Sequence, residues 1–430
     1  MSKVDGLPPA VEEELTESAA LEAELAVAPA LVANSLGDYL RGSFARVRGG
    51  ESGVLPVVGG LILISILFQW LNSNFLTSRN LVNLLIQGSP IMLLAMAQVY
   101  ALLLGEIDLS IGFVSGIGGI VTAELVKQST GWPWWAAILV ALIVCAFIGA
   151  VQGTIITRLG LPSFVVTLAG FLGLQGVMLL ILGNGGSVPI NDKVINDLAS
   201  GNLTPTASWI VLLLVVAAFG IRTWRREEGR RASGLVAPPR SLTLVKIGAA
   251  LAAAVAIALI CNADRGTLVP IRGLPWVVLI VLGVLAMWTL LLGRTKFGRY
   301  VYAIGGNAEA ARRAGVRLAT VRTVAFTLCS FTAGVAGIVY ASRLRSVSTA
   351  LDGGTLVLYA VAAAVIGGAS LFGGRGKAIH AVLGGLVIAA IANGMGLQGY
   401  SAAAEKVVTA LVLLAAVAID AVARRGRTAR

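Results

Sequence analysis

This chain of 430 residues has one histidine, His380, and three cysteines, Cys145, Cys261 and Cys329. A zinc protease of the His-Glu-x-x-His type needs two histidines one helical turn apart, so that chemistry is excluded, and no other metal-ligand spacing is present. The cysteines lie in apolar stretches and read as small core residues. Charge is scarce: 13% of residues are charged against 57% hydrophobic, with mean hydropathy +0.88. A soluble domain of this length could not cover so much apolar surface, which leaves an all-α polytopic membrane protein. A phosphate-binding loop is also missing. Gly376-Lys377 suggests one, but Leu371 stands where the first glycine belongs and Ala378 follows the lysine. The chain is therefore expected to bind no nucleotide or other cofactor and to be no enzyme. No basic start leads into an apolar stretch near the N-terminus, so a cleaved signal peptide is not expected.

What is present is a succession of windows long enough to span a bilayer, near 54–71, 82–104, 109–126, 133–156, 163–182, 207–223, 243–261, 274–292, 320–341, 355–372, 378–396 and 404–423. Several are short or broken by glycine, which leaves about 10–12 transmembrane helices open, some of them broken or re-entrant. With an even count and a cytoplasmic N-terminus, basic residues should concentrate in the inner segments. They do: residues 41–48, 222–240, 294–317 and 424–430 hold arginine clusters, joined by Arg158, Arg375 and Lys377. The outer segments hold only Arg79, Lys127, Lys193, Arg265, Arg272, Arg343 and Arg345. The net charge of +12 is thus a matter of topology, and nucleic acid drops out as a partner. The expected plan is a mobile acidic tail over 1–53, a membrane domain over 54–423 with a flexible cytoplasmic linker at 224–242, and a basic tail at 424–430.

The most water-compatible stretch of the C-terminal half is residues 298–316. After Gly305-Gly306 comes a run of helix formers, with Asn307 placed to cap it and Gly315 to end it. Glu309, Ala310, Arg312 and Arg313 lie on this short helix. A two-turn helix is marginal alone and persists by docking, here expected to be against a separate soluble subunit.

Residues 105–112, Gly-Glu-Ile-Asp-Leu-Ser-Ile-Gly, carry two carboxylates between apolar helices. Glu106, Asp108 and Ser110 either cap the next helix or take part in a permeation path, and the sequence leaves both open. Among the amides within spans (Gln87, Gln98, Gln152, Gln175, Asn393 and Gln398), Gln98, Gln175 and Asn393 join them as candidates for contact with a substrate. No ring of like charge is evident, which favours a neutral solute over an ion. The glycines Gly367, Gly368, Gly373 and Gly374 mark a hinge or a tight turn.

These blocks together resemble a family. Gly105–Gly112 is similar to the Gly-Gly-Ile-Asp-Leu-Ser-Val-Gly signature of sugar-importing ABC transporter permeases of the ribose, xylose and galactoside type. Leu161-Pro162-Ser163-Phe164-Val165-Val166-Thr167-Leu168 resembles their Ile-Pro-Pro-Phe-Ile-x-Thr-Leu. Residues 298–316 resemble their Gly-Arg-x-x-Tyr-Ala-Ile-Gly-Gly-Asn loop, residues 367–376 their Gly-Gly-x-Ser-Leu-x-Gly-Gly-x-Gly, and Asn393-Gly394-Met395 their late Asn-Gly-Met. Glu106 departs from the pattern, and the extra apolar length at 207–262 resembles the xylose-type branch. The resemblance implies the ABC importer permease fold as a homodimer in the cytoplasmic membrane, with a cytoplasmic ATP-binding subunit that uses the ATP and an extracytoplasmic sugar-binding protein. It also implies that 293–319 couples this chain to the ATPase. The alternative is a self-sufficient twelve-span secondary transporter divided at 224–242, although the Gly-x-x-x-Asp-Arg-x-Gly-Arg signature such proteins often carry is absent.

Overall fold

The structure is a computed structural model that describes Gly37 and residues 54–183, 186–235, 237–349 and 351–428. The acidic tail apart from Gly37, together with Arg430, lies outside the described residues. Helices stand at all twelve apolar windows: α1 (Val54–Leu71), α2 (Ser78–Leu103), α3 (Ile111–Val126), α4 (Trp134–Leu159), α5 (Ser163–Leu182), α7 (Pro205–Ala232), α8 (Arg240–Asn262), α9 (Trp276–Arg294), α12 (Leu318–Leu344), α13 (Gly353–Ile366), α14 (Ala378–Leu397) and α15 (Ala402–Thr428). Four short elements join them: α6 (Lys193–Ser200), α10 (Lys296–Gly306), α11 (Ala308–Arg313) and a ribbon of β1 (Ser187–Pro189) and β2 (Ser346–Ser348). Among the described residues eight helices are long and apolar enough to cross a membrane, and the fold is all-α and polytopic.

The chain divides into two units, 209–257 with the N-terminal tail as one and 52–208 with 258–430 as the other. In the smaller, the expected flexible linker at 224–242 is largely helical: α7 continues to Ala232, α8 starts at Arg240, and seven residues at 233–239 join them. The reason is charge pairing. Glu228 holds Arg231 one turn away and Arg240 across the turn, each at 2.8 Å, while Glu227 accepts from Thr243 and faces Lys246 at 3.4 Å. The expected basic tail at 424–430 is likewise helical as far as Thr428, the end of α15.

In the larger unit α12 packs on α2, α3, α4 and α6, and α2 packs on α13 and α14. Tyr100 and Trp288, both fully buried, bring α2 and α9 together with ring centroids 4.0 Å apart. Asn80 of α2 and Asn393 of α14 exchange amide hydrogen bonds of 2.8 and 3.0 Å in a buried site. The loops sort into two sets, as alternating spans require. At one end β1 pairs antiparallel with β2, Ala199 N–H donates to Ser342 Oγ at 2.9 Å, and Asn72 donates to the Leu397 carbonyl at 3.2 Å. The opposite set gathers residues 103–106, 305 and 373–376.

Two helices are the shortest of the twelve. With 16 residues in α3 and 14 in α13, a rise of ~1.5 Å per residue gives about 24 and 21 Å, less than the roughly 30 Å of a hydrocarbon core. Their N-termini meet inside the bundle, where a Cβ added to Gly112 would stand 1.9 Å from the Gly353 carbonyl oxygen. The apolar pattern at 355–372 is thus a shorter helix followed by a turn, entered through a strand and loop that fold back from the first end.

Candidate functional site: a glycine junction and a polar cavity

The first functional locus is the elbow of α10 and α11. Thr295 Oγ1 accepts from Gly298 N–H at 3.1 Å and starts α10; Asn307 Oδ1 accepts from Ala310 N–H at 2.9 Å and starts α11, which ends before Gly315 at φ +83°. Helix α10 is not evident in the sequence, because Gly298 and Gly305-Gly306 read as breakers. It forms because Val301 and Ile304, one turn apart, are buried in the core. Helix α11 also docks on the chain's own bundle, where Ala311 is buried. Its outer face carries Glu309, Ala310, Arg312 and Arg313, all exposed. Glu309 pairs with both arginines, at 2.8 and 3.0 Å, and they hold its carboxyl below the usual carboxylate range.

That elbow is joined to two other glycine motifs far away in sequence. A Cβ on Gly305 would fall 1.8 Å from the Leu103 carbonyl oxygen and 2.5 Å from Gly374 N. Gly374 N–H donates to the Leu103 oxygen at 2.9 Å, and the Tyr302 hydroxyl donates to the Gly376 carbonyl at 2.7 Å. Gly105, Gly368, Gly373 and Gly374 all have positive φ, between +71° and +101°. Residues 367–376 therefore form a tight turn whose backbone interlocks with the end of α2 and the end of α10. Gly367 closes α13 and abuts the carbonyl of His380.

Next to this junction the loop before α3 is fixed from all sides. Asp108 is fully buried, and its Oδ1 accepts from Ser110 N–H at 2.9 Å and Ser110 Oγ–H at 2.7 Å. Ser110 also meets Gln152 Oε1 at 3.0 Å. With its amide oriented to match, Gln98 donates to the Asp108 carbonyl at 3.1 Å and accepts from its N–H at 3.2 Å. Glu106 forms an ion pair with Arg322 of α12 at 2.9 Å. Ser110 stands at the N-cap position of α3 without a side-chain cap bond. Gln98 and Ser110 each bond to Asp108, Asn393 bonds to Asn80, and Gln175 lies exposed on α5.

The second locus is a cavity of about 380 Å³ bounded by α2, α12, α13, α14 and α15. It reaches from Pro90, at the midpoint of α2, and Ala392 of α14 to Arg343 near the end of α12. Asp352 caps α13 by accepting from Thr355 N–H at 3.0 Å and from its hydroxyl, and it pairs with Lys406 at 3.3 Å. Glu405 accepts from the Tyr359 hydroxyl at 3.2 Å. Of the residues expected to contact a substrate, none lines this space; Gln87 does. Asp352, Glu405 and Lys406 were open to sequence reasoning, as ionisable residues at the edges of apolar windows.

Comparison with known proteins follows the same outline. Residues 80–417 match the family model described as "Branched-chain amino acid transport system / permease component". The xylose transport system permease protein XylH of Escherichia coli (strain K12) is 33% identical over 387 residues, 89% of this chain and 95% of that protein. The ribose import permease protein RbsC of the same strain is 31% identical over 360 residues, 84% of this chain and 91% of its own. A probable ABC transporter permease protein of Sinorhizobium fredii is 29% identical over 376 residues, 87% and 91% of the two chains. No solved structure is significantly similar. An all-α bundle with two especially short helices, a capped elbow packed against it and similarity along most of its length to these proteins belongs to the ABC-importer permease family that includes the xylose and ribose permeases.

Proposed function

We propose that this chain is the permease subunit of an ATP-driven importer that carries a monosaccharide, first of all a pentose such as xylose, across the cytoplasmic membrane by alternating access. The observation that carries the reading is the glycine junction. A push on the exposed face of α11 reaches, through the contact of Gly305 with Leu103 and Gly374, the loops bounding both short helices. Glycine-lined backbone contacts transmit such a displacement because nothing compressible lies between them. The names of the xylose and ribose relatives support the sugar.

On this reading the chain binds no cofactor. ATP is bound and hydrolysed by a cytoplasmic ABC subunit seated on Glu309, Ala310, Arg312 and Arg313, while an extracytoplasmic sugar-binding protein delivers the solute at the β1–β2 end. Two copies pair in the membrane among lipid. The basic clusters support a cytoplasmic position for both termini and the junction. Direction follows from the difference in ligand affinity between the outward- and inward-open states. A twelve-span secondary transporter has less support, because the relatives are ABC-importer permeases and the signature such transporters often carry is absent.

Reconstitution tests the reading. Proteoliposomes holding this chain with its ATPase and binding protein should take up xylose only when ATP is supplied on the ATPase side. Uptake driven by a proton gradient with this chain alone would refute it.

A further inference from the structure

We propose that the cavity between α2, α12, α13, α14 and α15 is a monosaccharide-binding site of the permease itself, which holds the sugar in transit. This rests on the importer reading and adds where, and by which side chains, the solute is held.

A volume of about 380 Å³ lies toward the small end of ligand sites, roughly 300–1,000 Å³. Its formal charges cancel, with Arg343 and Lys406 against Asp352 and Glu405. A phosphate or a lipid headgroup anion entering it would meet two carboxylates, and an organic cation would meet a guanidinium and an ammonium. A neutral ligand rich in hydroxyls meets neither penalty, because each hydroxyl both donates and accepts. Carboxylates accept, the guanidinium donates, and the Gln87 amide does both.

Two of these groups lack other work. Among the described residues neither Gln87 nor Arg343 has a hydrogen-bond or ion-pair partner, although both line the cavity and are partly buried. Both are therefore free to bond a solute that occupies this space. Tyr340 and Tyr359 add ring surface for the C–H face of a pyranose. Position agrees: the cavity opens over the first turn of α13, one of the two short helices, and extends to the middle of α2. A solute there would sense any shift of α13 relative to α2, the pair that the glycine junction connects.

Site-directed labelling tests this in the assembled permease–ATPase complex in lipid nanodiscs. The native cysteines are buried, so Ala392→Cys, a lining position without a polar role, supplies one reactive thiol. Xylose at about ten times its dissociation constant should slow methanethiosulfonate labelling about tenfold, the factor set by site occupancy. Adding Arg343→Gln or Gln87→Leu should abolish protection while labelling without sugar continues at its former rate, which shows the cavity still formed. If labelling is indifferent to every sugar the reconstituted importer transports, or responds to lipid headgroup composition instead, the assignment of the cavity is overturned and the importer reading stands. If no sugar is transported with ATP, the importer reading fails with it.

Discussion

Gly305→Ala is expected to lower sugar uptake at least tenfold, whereas Gly306→Ala, the same change one residue later, leaves it near wild type. At Gly305 the added methyl would sit 1.8 Å from the Leu103 oxygen and 2.5 Å from Gly374 N, and both are backbone atoms that no rotamer can move aside. At Gly306 a methyl meets nothing within 4 Å, and neither glycine has positive φ, so backbone strain does not separate them. Overpacking of this kind costs about 1–3 kcal/mol, and separating the elbow from α2 relieves it. The coupling surface on α11 remains intact. ATP hydrolysis by the complex should therefore persist while transport is lost, and parallel assays of uptake and hydrolysis in proteoliposomes read the difference. Equal uptake by the two variants would remove the junction from the coupling path.

Asp108→Ala should reduce folded yield and uptake together, while Asp108→Asn, which keeps an acceptor oxygen, should retain most of both. Alanine strands the Ser110 N–H in a fully buried site and leaves its hydroxyl only Gln152 as a partner; an unsatisfied buried donor costs about 1–3 kcal/mol against a total stability of about 5–15 kcal/mol. Ser110 then loses its hold beside Gln152, and the entry into α3 loosens. Detergent-solubilised yield, thermal denaturation and uptake per folded molecule check the expectation. If Asp108→Asn folded normally but failed to transport, the carboxylate would act on the solute, and the loop would be part of the pathway.

Much of the fold is legible in the chain because membrane helices announce themselves by length and hydropathy, and every apolar window holds a helix. The cap at Asn307 and the stop at Gly315 are legible for the same reason, as local chemistry. What local signals could not supply is proximity. Leu103, Gly305 and Gly374 are far apart in sequence, and their glycines show only that something must come close, not what. The segment 224–242 misleads because arginines and paired prolines suggest a loop, while Glu227 and Glu228 neutralise the arginine and lysine side chains that would otherwise destabilise a continued helix. Helix α10 was hidden by its glycines, and burial of Val301 and Ile304 outweighs them. The polar cavity is not legible because its residues are divided among the last turn of α12, at Arg343, the loop before α13, at Asp352, and the start of an apolar helix, at Glu405 and Lys406. No single stretch of sequence carries the whole set.

The most direct measurement concerns the side of the membrane on which α11 lies. With the three native cysteines buried, Ala310→Cys offers one exposed thiol on the proposed coupling face. A membrane-impermeant maleimide should label it in inverted vesicles and not in right-side-out ones, and a bound ATPase subunit should slow the reaction. Labelling from the outer face, or labelling from within that the ATPase leaves unchanged, would contradict coupling through the α10–α11 elbow.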